Sequence, residues 1–297
     1  MEFTINCTRV PIPQGTNLFG IPVDEGPAPA LQDPVSNHDA PQGASNDGDI
    51  FNPNGRVSPN REESASVITT PSKHLSCRVY TTFSTFNART LGPLGRLDEL
   101  VLNASLQNID VIAVQEHRFY HPNVNLKYHK VDSYQFVSSS GVKNSINSTV
   151  GGIGFLLSSK ASDNVLKIES ISPRIMVLEL EGNPKTTVVC AYSPTNTSTL
   201  EEIEEFYTLL RSTIEQVPLH NFLVIAGDLN AKLGPSEAKF SYNSSTNRNG
   251  EMLIDFLEEF NLYISNTSFM KPKGQLWAHE SPSGLRAQLD YIIFRKK

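Results

Sequence analysis

Leu223-Val-Ile-Ala-Gly-Asp-Leu-Asn-Ala231 is the stretch that decides the fold. Its first four residues form an apolar run of the kind a strand buried on both faces needs. The run breaks at Gly227, and a carboxylate and a carboxamide then follow two residues apart, Asp228 and Asn230. Alternation along an extended chain points both the same way, out of the strand end. A core strand gains nothing from two polar heads at one edge. A phosphate or metal site does.

Further strands and helices are legible on either side. Arg78-Val-Tyr-Thr-Thr-Phe-Ser-Thr-Phe86 is rich in β-branched and aromatic residues and reads as a strand. Leu97, Leu100, Val101, Ala104 and Leu106 recur at helical spacing. Strands are expected at 109–114, 151–157, 175–180, 186–192, 222–226, 262–265 and 289–294, and helices at 200–217 and 252–260. Strands outnumber helices, which fits two stacked sheets with helices outside better than one parallel βαβ array.

Composition divides the 297 residues in two. Residues 1–74 hold ten of the nineteen prolines but three of the fifteen phenylalanines, with nine acids against four bases. That stretch reads as a disordered acidic tail, since it cannot bury enough apolar surface to offset its ordering entropy. The folded part, 75–297, carries twenty-two acids against twenty-one bases, so this is not an arginine-rich nucleic-acid binder. Cys7, Cys77 and Cys190 form no CxxC pair, which argues against a zinc site or a disulfide framework. Cys190, inside Thr187-Val-Val-Cys-Ala191, reads as a small buried hydrophobe. Six Asn-x-Ser/Thr sequons, Asn147, Asn196 and Asn266 among them, read as Asn- and Ser-rich loops. With no N-terminal apolar core and no run of membrane-span length, an intracellular soluble protein is expected, nucleus or cytoplasm being left open.

Several strands end in a polar group. Asn87 follows Thr85-Phe86, Glu116 follows Val111-Ile-Ala-Val114, and Tyr192 follows Val188-Val-Cys-Ala191. Asp228 and Asn230 close the strand at 222–226, and Asp290 opens the last one. A single Asn or Asp there is an ordinary cap or turn residue. Six such groups at successive strand ends point to one site assembled from several loops. Their chemistry is that of a hard metal and a phosphate. Glu116 and the amide oxygen of Asn87 suit Mg²⁺, which uses one or two carboxylates and keeps most of its waters. Asp228 would orient or deprotonate a water, and Asn230 and the Tyr192 hydroxyl would hydrogen-bond a phosphate as charge builds on it.

Thr85-Phe-Asn-Ala-Arg-Thr-Leu91, Val114-Gln-Glu-His-Arg118, Cys190-Ala-Tyr-Ser-Pro194, Gly227-Asp-Leu-Asn230 and Gln288-Leu-Asp-Tyr-Ile292 occur in an order that resembles the endonuclease/exonuclease/phosphatase superfamily. Within it, residues 78–294 look most like the apurinic-type endonuclease domain of LINE retrotransposons of the RTE group, and like the host craniofacial development protein 2-like group. Asn249-Gly-Glu-Met-Leu-Ile-Asp-Phe256, Ile264-Ser-Asn-Thr267, Trp277 and Ser281-Pro-Ser-Gly284 carry that subgroup likeness. The resemblance implies an α/β fold, a four-layer sandwich of two stacked mixed sheets flanked by helices. It implies Mg²⁺-dependent phosphodiester cleavage in DNA, with Mn²⁺ as a substitute ion. By position, Glu116 would be the metal ligand with Asn87 beside it. Tyr192, Asn230 and Arg118 would bind substrate, Asp228 would position the nucleophile, and Asp290 would orient the family's catalytic histidine. A reverse transcriptase fused in the full element is part of the same expectation, and no obligate protein partner is implied.

Two departures bear on activity. The family's histidine, in Ser-Asp-His, falls further along than Lys297, and none of the seven histidines here has that context. A C-terminal strand is expected to be missing with it, and nuclease activity to be impaired. Arg89 also stands where some relatives carry an acid. The competing readings are a phosphomonoesterase of the same fold acting on inositol phosphates or nucleotides, and a non-catalytic remnant or gene fragment of a LINE element.

Overall fold

The computed structural model describes residues 81–281 and 283–296. The tail read at 1–74, Cys77 and the first residues of the strand read at 78–86 lie outside them.

In chain order the strands are β1 (Phe83–Asn87), β2 (Val111–Gln115), β3 (Lys127–Val131), β4 (Tyr134–Ser138), the short β5 (Val142–Lys143) and β6 (Thr149–Val150), and β7 (Ile153–Ser158). They continue with β8 (Val165–Ser172), β9 (Ile175–Leu180), β10 (Thr186–Tyr192), β11 (Phe222–Asp228), β12 (Leu262–Ile264), β13 (His279–Glu280), β14 (Arg286–Ala287) and β15 (Asp290–Arg295). The helices are α1 (Arg96–Leu106), α2 (Ser159–Ser162), α3 (Leu200–Glu215) and α4 (Arg248–Glu259). One sheet has the order β1-β2-β7-β4-β3 and the other β12-β15-β11-β10-β9-β8, both mixed. Two short ribbons, β5-β6 and β13-β14, stand apart from them.

Side-chain alternation sorts the core into layers. Val224 and Ala226 of β11 pack with Val188 and Cys190 of β10, Ile292 and Phe294 of β15, and Phe83, Val111 and Ala113 of the other sheet. The intervening residues, Leu223, Ile225 and Val189, pack instead against Ile203, Phe206 and Leu210 of α3 and Leu253 and Phe256 of α4. On the far side, Phe86, Ile112 and Val114 pack against Leu100, Val101 and Ala104 of α1. Helix, sheet, sheet, helix: the four-layer sandwich is borne out. Burial on both faces is why β10 and β11 read as unbroken apolar runs.

Element boundaries shift for local reasons. The fourth helix begins at Arg248, four residues before the apolar pattern does, because the Asn247 side chain accepts from Gly250 N and caps it. Gly151 and Gly152 (φ +66° and +83°) belong to the turn before β7 rather than to the strand. Three strands of the two large sheets pass unread in the sequence, β3, β4 and β8, as do the short ribbon strands β5, β6, β13 and β14. Both β3 and β8 are edge strands with largely exposed faces, so neither carries an apolar run. The sequon residue Asn266 is buried and not in a loose loop. Its amide receives Ile292 N at 3.0 Å and donates to Asp290 O at 2.9 Å, acting as one more rung beside β15.

Candidate active site

The layer between the sheets ends, at one edge, in polar residues. Following the inward-facing alternation, Phe83 leads to Asn87, Val111 and Ala113 to Gln115, Val188 and Cys190 to Tyr192, and Val224 and Ala226 to Asp228. The last strand runs antiparallel to β11, so Asp290 at its start lies opposite Asp228 at the other's end. Register completes the set, pairing Asn87 with Gln115 and Tyr192 with Asp228. Gly227 makes that end possible: a Cβ there would sit 1.8 Å from the Ala191 carbonyl oxygen.

Glu116 follows the end of β2 and enters the left-handed region at φ +52°. The turn brings its carboxylate to the Asn87 end. Asn87 Nδ2 donates to Glu116 Oε1 and to Asp228 Oδ2, both at 2.8 Å. Asn87 Oδ1 accepts from Arg89 N at 3.0 Å. In this arrangement Asn87 bridges two carboxylates with its amino group and turns its oxygen away from them. The Tyr192 hydroxyl donates to Glu116 Oε1 at 2.9 Å, and Arg118 Nη2 donates to Oε2 at 3.0 Å.

Burial pushes the Glu116 carboxyl up, but hydrogen bonds from Asn87, Arg118 and Tyr192, with the Arg118 charge, outweigh it and hold it below the usual carboxylate range. Tyr192 moves the other way. Burial, then the charges of Glu116 and Asp228, raise its phenol so far that it keeps its proton.

The strand-end geometry differs from simple alternation at Asn230. Its φ is +48°, so it has left the strand. Its backbone N–H donates to Asp228 Oδ1 at 3.0 Å, and its Nδ2 donates to Ser193 O at 2.9 Å. Asp228 and Asn230 share one corner because a turn folds one onto the other. Asp290 is 1% exposed, and its carbonyl accepts from Asn266. Arg118 carries a half-exposed guanidinium, so it stands at the mouth.

His117 is fully buried behind Glu116. Phe119 N donates to its Nδ1 at 2.9 Å, which leaves Nε2 to carry the proton and face Ile153 O at 3.2 Å. Burial lowers its pKa to about 4. His117 is thus a hydrogen-bonded member of the core. His279 sits in a short strand: β13 pairs with β14, and Arg89 Nη2 donates to Glu280 O at 2.9 Å, tying that hairpin to the Asn87 loop. Cys190, wholly buried and with a thiol pushed up to about 12 by burial, is the inert hydrophobe expected.

Two contributors escaped the sequence reading. Arg174 lies over the Tyr192 ring at 5.2 Å and donates to the Tyr192 carbonyl at 3.2 Å. Gln115 is buried, accepting from Thr85 Oγ1 at 3.2 Å and donating to Ala113 O at 3.0 Å. Register between β9 and β10 would have found the first, since Ile175 pairs with Ala191.

A family model described as the Endonuclease/Exonuclease/phosphatase family matches residues 84–297. Craniofacial development protein 2 of Tragulus javanicus is 29% identical over 234 residues, covering 76% of this chain and 39% of that protein. Its counterpart in Bos taurus is 28% identical over 234 residues, covering 76% and 38%. The chain thus spans about two fifths of the length of the curated relatives it matches. Among solved structures, an AP endonuclease from Leishmania major superposes with a TM-score of 0.54 at 15% identity, covering 72% of this chain and 78% of that one. A 3′ phosphatase from Neisseria bound to a product DNA hairpin gives 0.52 at 16% identity, covering 72% and 86%. At such identities the likeness is one of fold.

Proposed function

The chain belongs to the endonuclease/exonuclease/phosphatase family, and from that membership we propose that it is a Mg²⁺-dependent phosphodiesterase of the retrotransposon endonuclease type, acting on DNA. One observation carries the reading. Asn87 gathers the carboxylates of Glu116 and Asp228, from different sheets, around a single amide. Two acids so converged make a pocket of negative potential suited to a cation beside a phosphate.

Enzymes of this family generally depend on a divalent metal. The donors that converge here are the carboxylate oxygens of Glu116 and Asp228. That fits Mg²⁺, which binds through one or two carboxylates and its own waters, and Mn²⁺ can substitute. Glu116 would hold it, with Asn87 adjacent. When bound, the ion neutralises a phosphoryl oxygen and the leaving alkoxide.

The chain's own residues do the rest. Asp228, its Oδ1 fixed by Asn230 N, aims the carboxylate that orients the attacking water and takes its proton. Tyr192 keeps its proton at any physiological pH, so its hydroxyl shifts as a donor from Glu116 to the phosphate oxygen when that oxygen arrives. Asn230, anchored on Ser193 O, presents its amide to the same phosphate, and Arg118 meets a flanking charge at the mouth. Asp290, opposite Asp228, is held by β15 to orient a general-acid or base partner.

Nicking of supercoiled plasmid tests the reading. Activity should need Mg²⁺ or Mn²⁺, disappear with chelator, and fall by about 10²–10⁴ on Asp228→Asn. Release of phosphate from inositol phosphates or nucleotides, without nicking, would make it a phosphomonoesterase. Neither activity at any metal concentration would leave a non-catalytic remnant.

A further inference from the structure

Arg174 stands in the turn between β8 and β9, and that turn closes without its side chain. Ser172 Oγ accepts from Arg174 N and from Ile175 N at 3.1 Å each. Tyr192 N donates to Arg174 O at 2.9 Å, so the backbone of the turn is already tied to the end of β10. The guanidinium does something else. Its Nη1 donates to the Tyr192 carbonyl at 3.2 Å, and its central carbon lies 5.2 Å from the centre of the Tyr192 ring.

Another placement is open to it. A cavity of about 250 Å³ beside Arg174 is lined on the α3 side by Glu202 and Glu205. Among the described residues, no ion pair joins Arg174 to either acid. The side chain lies on the ring instead. A guanidinium over a phenol face is held by the ring quadrupole, and more firmly where both are partly desolvated, as these half-buried residues are.

Tyr192 has reason to be held this way. Its hydroxyl donates to Glu116 Oε1 at 2.9 Å, which fixes the tip of the ring. That contact must break when the hydroxyl turns to a phosphate oxygen. The ring face and the Tyr192 carbonyl are untouched by the exchange, so a ring held there keeps its direction through it.

We propose that Arg174 is a positioning residue, which grips Tyr192 by its ring face and carbonyl so that the phenol stays aimed while it exchanges Glu116 for phosphate. Arg174 itself touches neither phosphate nor metal in this role. The inference rests on the reading of the site as a phosphodiesterase.

The test uses the full chain with Mg²⁺ and bis(4-nitrophenyl) phosphate. Arg174→Met keeps the stem and removes the charge and the donors, while Arg174→Lys returns a charge without the planar face. In Arg174→Met, kcat should fall about tenfold with KM unchanged, the share of one partly desolvated cation–π contact. Arg174→Lys should recover part of it. In a Tyr192→Phe background, Arg174→Met should cost under about twofold, because no hydroxyl remains to aim. Flips of the Tyr192 ring, followed by NMR with labelled tyrosine and assigned by their loss in Tyr192→Phe, should quicken in Arg174→Met. An equal loss in both backgrounds would overturn the proposal, since Arg174 would then act without Tyr192. A raised KM with kcat kept would make it a substrate contact, and a lower melting temperature with full kcat per folded molecule would make it a brace of the turn; either overturns it. A parent that hydrolyses neither this diester nor plasmid would overturn the phosphodiesterase reading. The ring flips then decide for Arg174 alone: quickened flips uphold its grip on Tyr192, and unchanged flips overturn it.

Discussion

Asn87 Nδ2 donates to Asp228 Oδ2 at 2.8 Å, joining residues 141 positions apart and the ends of two different sheets. The same amide donates to Glu116 Oε1. One neutral group therefore stands between two acids that would otherwise repel. Asn87→Asp puts a third carboxylate in that place and should cost about 1–4 kcal/mol of stability at neutral pH, from a lost donor and added repulsion. Millimolar Mg²⁺ should restore part of it. Thermal unfolding with and without Mg²⁺ reads both effects, and a variant as stable as the parent in chelator would show that the carboxylates are not coupled.

Glu116 has two suitors, a cation and Arg118. The ion pair with Arg118 is present at 3.0 Å, but one partner is exposed, and such pairs are worth little. If the carboxylate serves the metal, Glu116→Gln should weaken Mg²⁺ binding in calorimetry by at least about 10–100-fold, the loss seen even for outer-shell partners. Arg118→Ala should leave binding as tight or tighter, because it removes a competing cation. Unchanged binding in Glu116→Gln would return that residue to a structural ion pair.

Much of this site could be read from residues alone because of parity. Each buried strand alternates between two apolar layers, and the same count that places Val224 and Ala226 between the sheets places Asp228 there too. The residue types then suggest the hard-metal and phosphate chemistry proposed above. What parity cannot supply is which strand ends meet, since the Asn87 to Asp228 contact follows from sheet stacking. Nor can it show the reversal at Glu116, because a glutamate at positive φ leaves no compositional mark. Arg174 was hidden for a similar reason: its turn is ordinary in sequence, and only the antiparallel register brings it over Tyr192. The edge strands β3 and β8 were lost because half their side chains face solvent.

His117 should make the fold sensitive to mild acid. Its pKa is lowered to about 4 by burial, below an ordinary 6.5, so the folded state keeps it neutral while the unfolded chain takes up a proton. Its contribution is whole above pH 6.5 and is lost as pH falls from there toward 4, on the order of 3 kcal/mol in all. His129, also lowered by burial, acts in the same direction, so the comparison must be made against a variant. Urea unfolding at pH 7 and pH 5 should show a smaller drop for His117→Gln than for the parent. Equal slopes would mean that the imidazole charges in place.

Gly227→Ala should damage the site through the backbone rather than through any side chain it removes. The new methyl would meet the Ala191 carbonyl oxygen at 1.8 Å and its carbon at 2.7 Å, contacts that only backbone movement can relieve. Ala191 and Gly227 are register partners one step before Tyr192 and Asp228, so the strands must part just where the residues proposed to meet phosphate and water are held. Overpacking of this kind costs about 1–3 kcal/mol, and the hydrogen bonds of β10 to β11 at that end weaken with it. The expected result is lower stability in urea together with Mg²⁺-dependent cleavage reduced beyond what the unfolded fraction explains, because Asp228 has lost its fixed distance from Asn87. A variant that loses stability yet keeps full activity per folded molecule would show that the strand ends tolerate separation, and that the pocket is held from the loops instead.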